Sequence, residues 1–244
     1  MRLDVALVKN NLSESRQEAQ ELIQAGVVMV DGVIVTKQTR EVNEVSNLVV
    51  TRRRTFVSRG GEKLEGALLH VLGTEEVIRA TLLGKNALDI GSSTGGFTDC
   101  LLKYGVASVT AIDVGTAQLH PRLRVNPYVT ILENTDIRDY TSSTPFDVIV
   151  LDLSFISLEK ILDKVISFGA SSSAYYILLK PQFEVGKGNT KKGIVKDETL
   201  VVDLLKKYMT ILETKDIVVS PSFFPCVIQG GDGNQEYFLH FTLK

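Results

Sequence analysis

Leu88-Asp89-Ile90-Gly91-Ser92-Ser93-Thr94-Gly95-Gly96-Phe97 is the stretch that decides the fold of this 244-residue chain. The apolar run 87–90, which carries an acid at Asp89, reads as a strand. A loop of small residues follows, and a helical pattern begins near Gly95. Strand, glycine-rich loop and helix in that order mark the place where an open α/β sheet binds a nucleotide-like ligand. The glycines follow D-x-G-x-x-x-G rather than the G-x-G-x-x-G of dinucleotide sites, which speaks against a dinucleotide-linked oxidoreductase. The spacing suits a ligand without a pyrophosphate, and S-adenosyl-L-methionine is such a ligand. A methyltransferase is therefore the starting expectation.

Downstream, strand signals recur at 109–113, 129–132, 148–152 and 175–179, with helical signals at 97–104, 158–168 and 198–210. Alternation with nearly continuous apolar strands predicts a mostly parallel sheet covered on both faces, a Rossmann-like α/β fold. Residues 236–243 alternate and read as an antiparallel strand at the sheet's end. Acids end or closely follow four strand signals: Asp89, Asp113, Asp136 and Asp152. Asp113, about 20 residues past the glycine loop, is placed to accept from ribose hydroxyls, and Asp136 from an adenine amino group. With Asp89 and Asp113, the loop residues Gly91, Ser92, Thr94, Gly95, Gly96 and Phe97 complete the expected cofactor site, together with Asp136.

Upstream, residues 1–56 read as a separate small α+β domain. Leu3, Ala6 and Leu7 share a helix face, and Ser15-Arg16-Gln17-Glu18 is a capping box for a second helix. Asp31-Gly32 between two β-branched runs signals a hairpin. Residues 57–62 read as a linker to a second domain over 63–244, in which 62–72 is helical.

The net charge of −2 does not advertise nucleic-acid binding, but Arg52, Arg53, Arg54 and Arg59 cluster locally. Cys100 and Cys226 lack metal or redox spacing, so no metal is expected, and they fit a reduced, cytoplasmic chain. No apolar stretch approaches the roughly 20 residues that span a bilayer.

Lys180 stands at the end of the apolar run 175–179 and Asp152 ends 148–151 in the same way. A charge there is costly without partners or a task. Phe155 and Phe183, just past these strand ends, are candidates either for stacking on an unpaired base or for ordinary packing. The glycine-rich, basic stretch 186–193 reads as a loop able to close over RNA, or as a plain surface loop.

Two resemblances sharpen this reading. R-L-D at 2–4, S-R-Q-E-A-Q-E-L-I-Q-A-G at 15–26 and V-M-V-D-G-V-I-V at 28–35 resemble the S4 RNA-binding domain. That resemblance implies an RNA-facing surface with Arg2, Arg16 and Lys37. Nearly the whole chain is similar to the hemolysin A/TlyA-type rRNA 2′-O-methyltransferases, which carry an FtsJ-like catalytic domain behind an S4 domain. The matching motifs are S-R-G-G-E-K-L at 58–64, L-D-I-G-S-S-T-G-G-F-T-D at 88–99, D-V-I-V-L-D-L-S-F-I-S-L at 147–158, L-L-K-P-Q-F-E-V-G at 178–186 and G-N-Q-E at 233–236. The S-P-I-x-G segment of that pattern is replaced by Cys226-Val227-Ile228-Gln229-Gly230. The resemblance implies a catalytic tetrad of Lys63, Asp152, Lys180 and Glu236, with ribosomal RNA or ribosomal subunits as partner. An amine at Lys180 fits the need for a proton acceptor beside a ribose hydroxyl, with Lys63 as a second cation favouring its neutral form. The competing readings are a non-catalytic RNA-binding assembly factor and a membrane-active hemolysin. Oligomeric state is not legible.

Overall fold

The computed structural model describes residues 1–51, 55–186, 188–230 and 233–244. The chain divides into two compact units, Met1–Thr55 and Phe56–Lys244.

In the first unit, helices α1 (Leu3–Lys9) and α2 (Arg16–Gln24) pack beside a sheet of β1 (Val28–Val30), β2 (Val33–Ile34) and β3 (Leu48–Val50), ordered β2-β1-β3. Ser15 caps α2 by accepting from the Glu18 amide. The hairpin turn uses Asp31 at φ 51° and Gly32 at φ 83°, the left-handed pair that a two-residue connection demands. The core is Leu3, Leu7, Ala19, Leu22, Ile23, Val28 and Val30. At about 1.5–3 kcal/mol per large buried side chain, so small a core is a modest one.

The second unit opens with α3 (Arg59–Leu72) and α4 (Glu75–Leu82). Alternating elements follow: β4 (Asn86–Ile90), α5 (Gly96–Lys103), β5 (Ser108–Ile112), α6 (Pro121–Arg124), β6 (Val129–Leu132) and β7 (Phe146–Leu151). A 3₁₀ turn (Leu158–Lys160) then leads into α7 (Leu162–Ile166), β8 (Gly169–Leu179), α8 (Pro181–Glu184), α9 (Glu198–Glu213), β9 (Val218–Pro225) and β10 (Tyr237–Leu243). The seven-stranded sheet runs β6-β5-β4-β7-β8-β10-β9. Its first five strands are parallel, and β10 is antiparallel to both neighbours. One face carries Leu88, Ile149, Ile177, Leu239 and Phe241 against α7 and α9. The other carries Ala87, Val148, Val150 and Phe238 against α3, α4 and α5.

Three expectations differ. The expected linker 57–62 lies inside the second unit, because α3 starts at Arg59. A Cβ on Gly61 would stand 2.3 Å from the Phe56 ring, so this segment is packed rather than spanning a gap. The helix expected over 158–168 is broken at Ile161, whose φ of −125° is not helical. Finally, the antiparallel end of the sheet is present as expected but holds two strands, with β10 one place in, between β8 and β9.

Candidate active site

The glycine loop leaves β4 between two neighbours. The amides of Gly91 and Ser92 both donate to the Ile112 carbonyl at the end of β5. On the other side, the Asp152 amide donates to the Ile90 carbonyl. Gly91, at φ +81°, has no room for a side chain, since a Cβ would lie 2.4 Å from the Asp152 carbonyl oxygen. Gly95, also left-handed at φ +91°, opens α5.

Asp89 is fully buried beneath this loop. Its Oδ2 accepts from the Thr98 amide at 2.9 Å and the Thr98 hydroxyl at 2.6 Å, tying the strand to the first turn of α5. Its Oδ1 is buried with no partner among the described residues. Burial pushes the carboxyl up to about 7, against the Thr98 hydrogen bonds that lower it, with the Asp152 and Asp113 charges adding to the rise.

Asp113 closes the loop from β5, accepting from the Ser93 amide at 2.7 Å and the Gly115 amide at 2.7 Å. Thr94 accepts from the His120 amide through its carbonyl. Ser92 and Gly96 are buried. Phe97 sits in the core, stacked 6.1 Å from Phe238, and not on the loop's open side. Asp136 is engaged by Arg138, whose guanidinium approaches at 2.5 Å and holds the carboxyl down at about 2.

Four further charges collect at the carboxyl end of β7 and β8. Asp152 follows Leu151, the register partner of Ile177, and Lys180 follows Leu179, the partner of Tyr237. Glu236 immediately precedes β10, so the antiparallel insertion of that strand carries it to the same end. Lys180 Nζ lies 2.5 Å from Asp152 Oδ1, an ionic contact not aligned as a hydrogen bond, and donates to Ser154 Oγ at 3.1 Å. Lys63, in the first turns of α3, lies with its Nζ 2.5 Å from Glu236 Oε2. Both members of this second pair are almost wholly buried. The Cys226 thiol feels charges from both pairs. Burial pushes it up, and Lys63, Glu236 and Asp152 are all near enough to act on it. Each lysine thus has its own carboxylate, so Lys63 does not act on Lys180 as a bare cation.

The sequence reading missed several supports. Ser154 holds Lys180. Asn234, buried two residues before Glu236, donates to the Gly193 carbonyl and accepts from the Val195 amide, fastening the far end of the basic stretch 186–193. Phe155 is 89% exposed in a left-handed conformation, its ring 4.8 Å from Phe183.

In the first unit, buried Asp4 gathers Arg2, Arg16 and Gln20. Oδ2 accepts from them at 3.0, 3.2 and 2.8 Å, and Oδ1 accepts the Arg2 Nε at 3.0 Å. Burial alone would raise this carboxyl, but hydrogen bonds from Gln20, Arg2 and Arg16 outweigh it and hold it well below the usual carboxylate range. Both arginines remain largely open to solvent, and Lys37 is exposed. Arg59 is the first residue of α3. Arg52, Arg53 and Arg54 lie outside the described residues.

Comparison with known proteins agrees with both units. The family model for FtsJ-like methyltransferase matches residues 56–243, and that for the S4 domain matches residues 1–44. Hemolysin A of Brachyspira hyodysenteriae is 37% identical over 100% of both chains. The 16S/23S rRNA (cytidine-2′-O)-methyltransferase TlyA of Mycobacterium tuberculosis is 40% identical over 98% of this chain and 88% of its own. A solved structure from Streptococcus thermophilus superposes with a TM-score of 0.74 at 30% identity, covering 100% of this chain and 88% of that one. No helix among the described residues is long and apolar enough to cross a membrane. A glycine-lined loop in a mostly parallel sheet, family models matching both units and full-length likeness to named relatives lead to one conclusion: this chain belongs to the FtsJ-like methyltransferases, S-adenosyl-L-methionine-dependent enzymes, and carries an S4 domain at its front.

Proposed function

We propose that the chain methylates a ribose 2′-hydroxyl of ribosomal RNA, with Lys180 as the proton acceptor. The observation that carries this reading is the pairing of Lys180 with Asp152 and of Lys63 with Glu236 at one end of the sheet, beside the glycine loop. The mycobacterial relative's activity on the cytidine 2′-oxygen of rRNA supports the choice of atom.

The loop fits a cationic donor. Gly91 leaves backbone room, Asp113 edges the loop, and the buried Asp89 Oδ1 lacks a partner. Gly91, Ser92, Thr94, Gly95, Gly96, Asp89 and Asp113 would hold S-adenosyl-L-methionine, which when bound supplies an electrophilic methyl group. Asp136 would join only by sharing its carboxylate with Arg138.

A ribose hydroxyl must lose its proton as it attacks. The unprotonated Lys180 amine takes that proton, and Asp152 at 2.5 Å stabilises the ammonium as it forms. Asp152 and Ser154 together fix the direction of the Nζ lone pair. Lys63 and Glu236, locked in a buried pair, present a fixed polar wall that orients the ribose and its phosphate. Phe155, open at the mouth, offers a face for the target base. Arg2, Arg16 and Lys37 neutralise phosphates outside the reacting centre, a sequence-independent contribution.

The test is methyl transfer from labelled donor into ribosomal RNA and into assembled ribosomal subunits, with mass spectrometry locating the new methyl. A 2′-O-methyl nucleoside made by the wild type, and a loss of about 10²–10⁴ in turnover for Lys180→Ala with donor binding intact, are expected. Near-wild-type turnover in that variant would remove the base assignment. A base-methylated product, or no product on either substrate, would remove the activity.

A further inference from the structure

We propose that Glu184 is a positioning residue for methyl transfer, setting the separation of Lys180 and Asp152 from outside the reacting centre. This rests on Lys180 being the proton acceptor and adds what holds it in place.

The register of β7 with β8 ends at Leu151 opposite Ile177. Beyond it, Asp152 leads into the irregular segment 153–157 and Lys180 into the four-residue helix α8. So short a helix has little stability of its own. The 153–157 segment also contains Phe155 at φ +66°, a conformation costly for a bulky residue unless its surroundings impose it. Both segments therefore need an external tether.

Glu184, the last residue of α8, provides it. Its Oε1 accepts from the Leu158 amide at 2.8 Å. Its Oε2 accepts from the Ser157 hydroxyl at 2.8 Å and the Tyr208 hydroxyl at 2.7 Å. The Tyr208 oxygen in turn accepts from the Glu159 amide at 3.1 Å. Tyr208 is fully buried on α9, so the network is anchored to a long helix. One carboxylate thereby closes a ring that runs from β7 through Asp152, the 153–157 segment, Glu184 and α8 to Lys180 and β8. A small cleft beside the ring is lined in part by Leu153, Ile156, Lys180, Phe183 and Glu184. Charge-assisted hydrogen bonds of this kind are the stronger ones, and small displacements of a positioned base are costly in rate.

The experiment compares full-length wild type with Glu184→Ala, Glu184→Gln and Tyr208→Phe. It reads kcat and KM for RNA at saturating donor, the pH–rate profile, and donor affinity by calorimetry. Glu184→Ala is expected to lower kcat by about 10- to 100-fold and to shift the acidic limb of the pH–rate profile, with donor affinity within about twofold. Glu184→Gln keeps an acceptor for the Leu158 amide and is expected to recover to within about fivefold of wild type. If Glu184→Ala does not fold, Tyr208→Phe carries the test, with an expected loss of about three- to fivefold in kcat. A kcat within about twofold of wild type in Glu184→Ala, or in Tyr208→Phe when it stands in, overturns the proposal. So does a fall in kcat with an unmoved pH limb and no recovery in Glu184→Gln. Lys180→Ala separates the two ideas. An active Lys180→Ala defeats the base assignment, whereas an inert Lys180→Ala beside a fully active Glu184→Ala defeats only the tether.

Discussion

Among the described residues each unit buries one aspartate completely, and the two are treated in opposite ways. Asp4 is surrounded by donors and held ionised far below the ordinary carboxylate range. Asp89 has one satisfied oxygen and one orphan, and burial drives it up to about 7. A buried carboxylate with a full complement of partners organises its neighbours, here two arginines aimed at solvent. One left half-satisfied is expensive to keep and points to a site where something else completes it. The small unit surrounds its buried charge with donors, and the large unit leaves one oxygen of its own without a partner among the described residues.

The sharpest way to break that contrast is Asp89→Ala. Thr98 would lose the acceptor for both its amide and its hydroxyl, so a loss of about 2–4 kcal/mol in stability is expected, with donor binding abolished; thermal unfolding and calorimetry read the two effects. Asp89→Asn sharpens it further. The amide oxygen still serves Thr98, so stability should stay within about 1 kcal/mol while donor affinity falls about tenfold. Undiminished affinity would mean that the orphan oxygen faces no ligand. For the other aspartate, Asp4→Asn should cost about 1–2 kcal/mol and weaken RNA binding several-fold without changing donor affinity. The double change Arg2→Ala with Arg16→Ala should reduce the slope of log affinity for RNA against log salt by about 1–2, read by binding titrations at several ionic strengths.

The smallest effect is in pH dependence, where the signs differ. Asp4 is lowered in the fold, so its stabilisation is present above the usual 3.8 and is lost as pH falls below it. Asp89 is raised, so between 3.8 and about 7 the unfolded chain has released a proton that the folded chain keeps, and stability declines as pH rises through that window. Unfolding of the wild type and the two asparagine variants from about pH 4 to about pH 8 should show Asp89→Asn flattening the decline and Asp4→Asn leaving it intact.

Much of the frame was legible because it depends on local pattern. The glycine loop, the apolar parallel strands and the Asp31-Gly32 turn each announce themselves within a few residues. Strands lengthened where pairing continued past the apolar run, as in β8, which reaches back to Gly169 through polar serines. The short helix α8 was invisible because Pro181 and one turn make no period. The placement of Lys63, Asp152, Lys180 and Glu236 came from motif likeness, and their division into two separate ion pairs did not. That division depends on which strand lies beside which, and only the insertion of β10 next to β8 decides it. Phe97 stands beside the glycines in sequence, and only the packing of α5 shows that its ring lies in the core.

That inserted strand also imposes a timetable. Lys63 and Glu236 are 173 positions apart. At roughly 5–20 residues per second, a ribosome that has just made Lys63 needs about 9–35 s more to deliver its counter-ion. Throughout that interval the lysine has no reason to leave water, and β9, once made, has no neighbour to join until β10 follows. The Lys63–Glu236 pair therefore closes only when the segment leading into β10 has emerged, long after the glycine loop has been made.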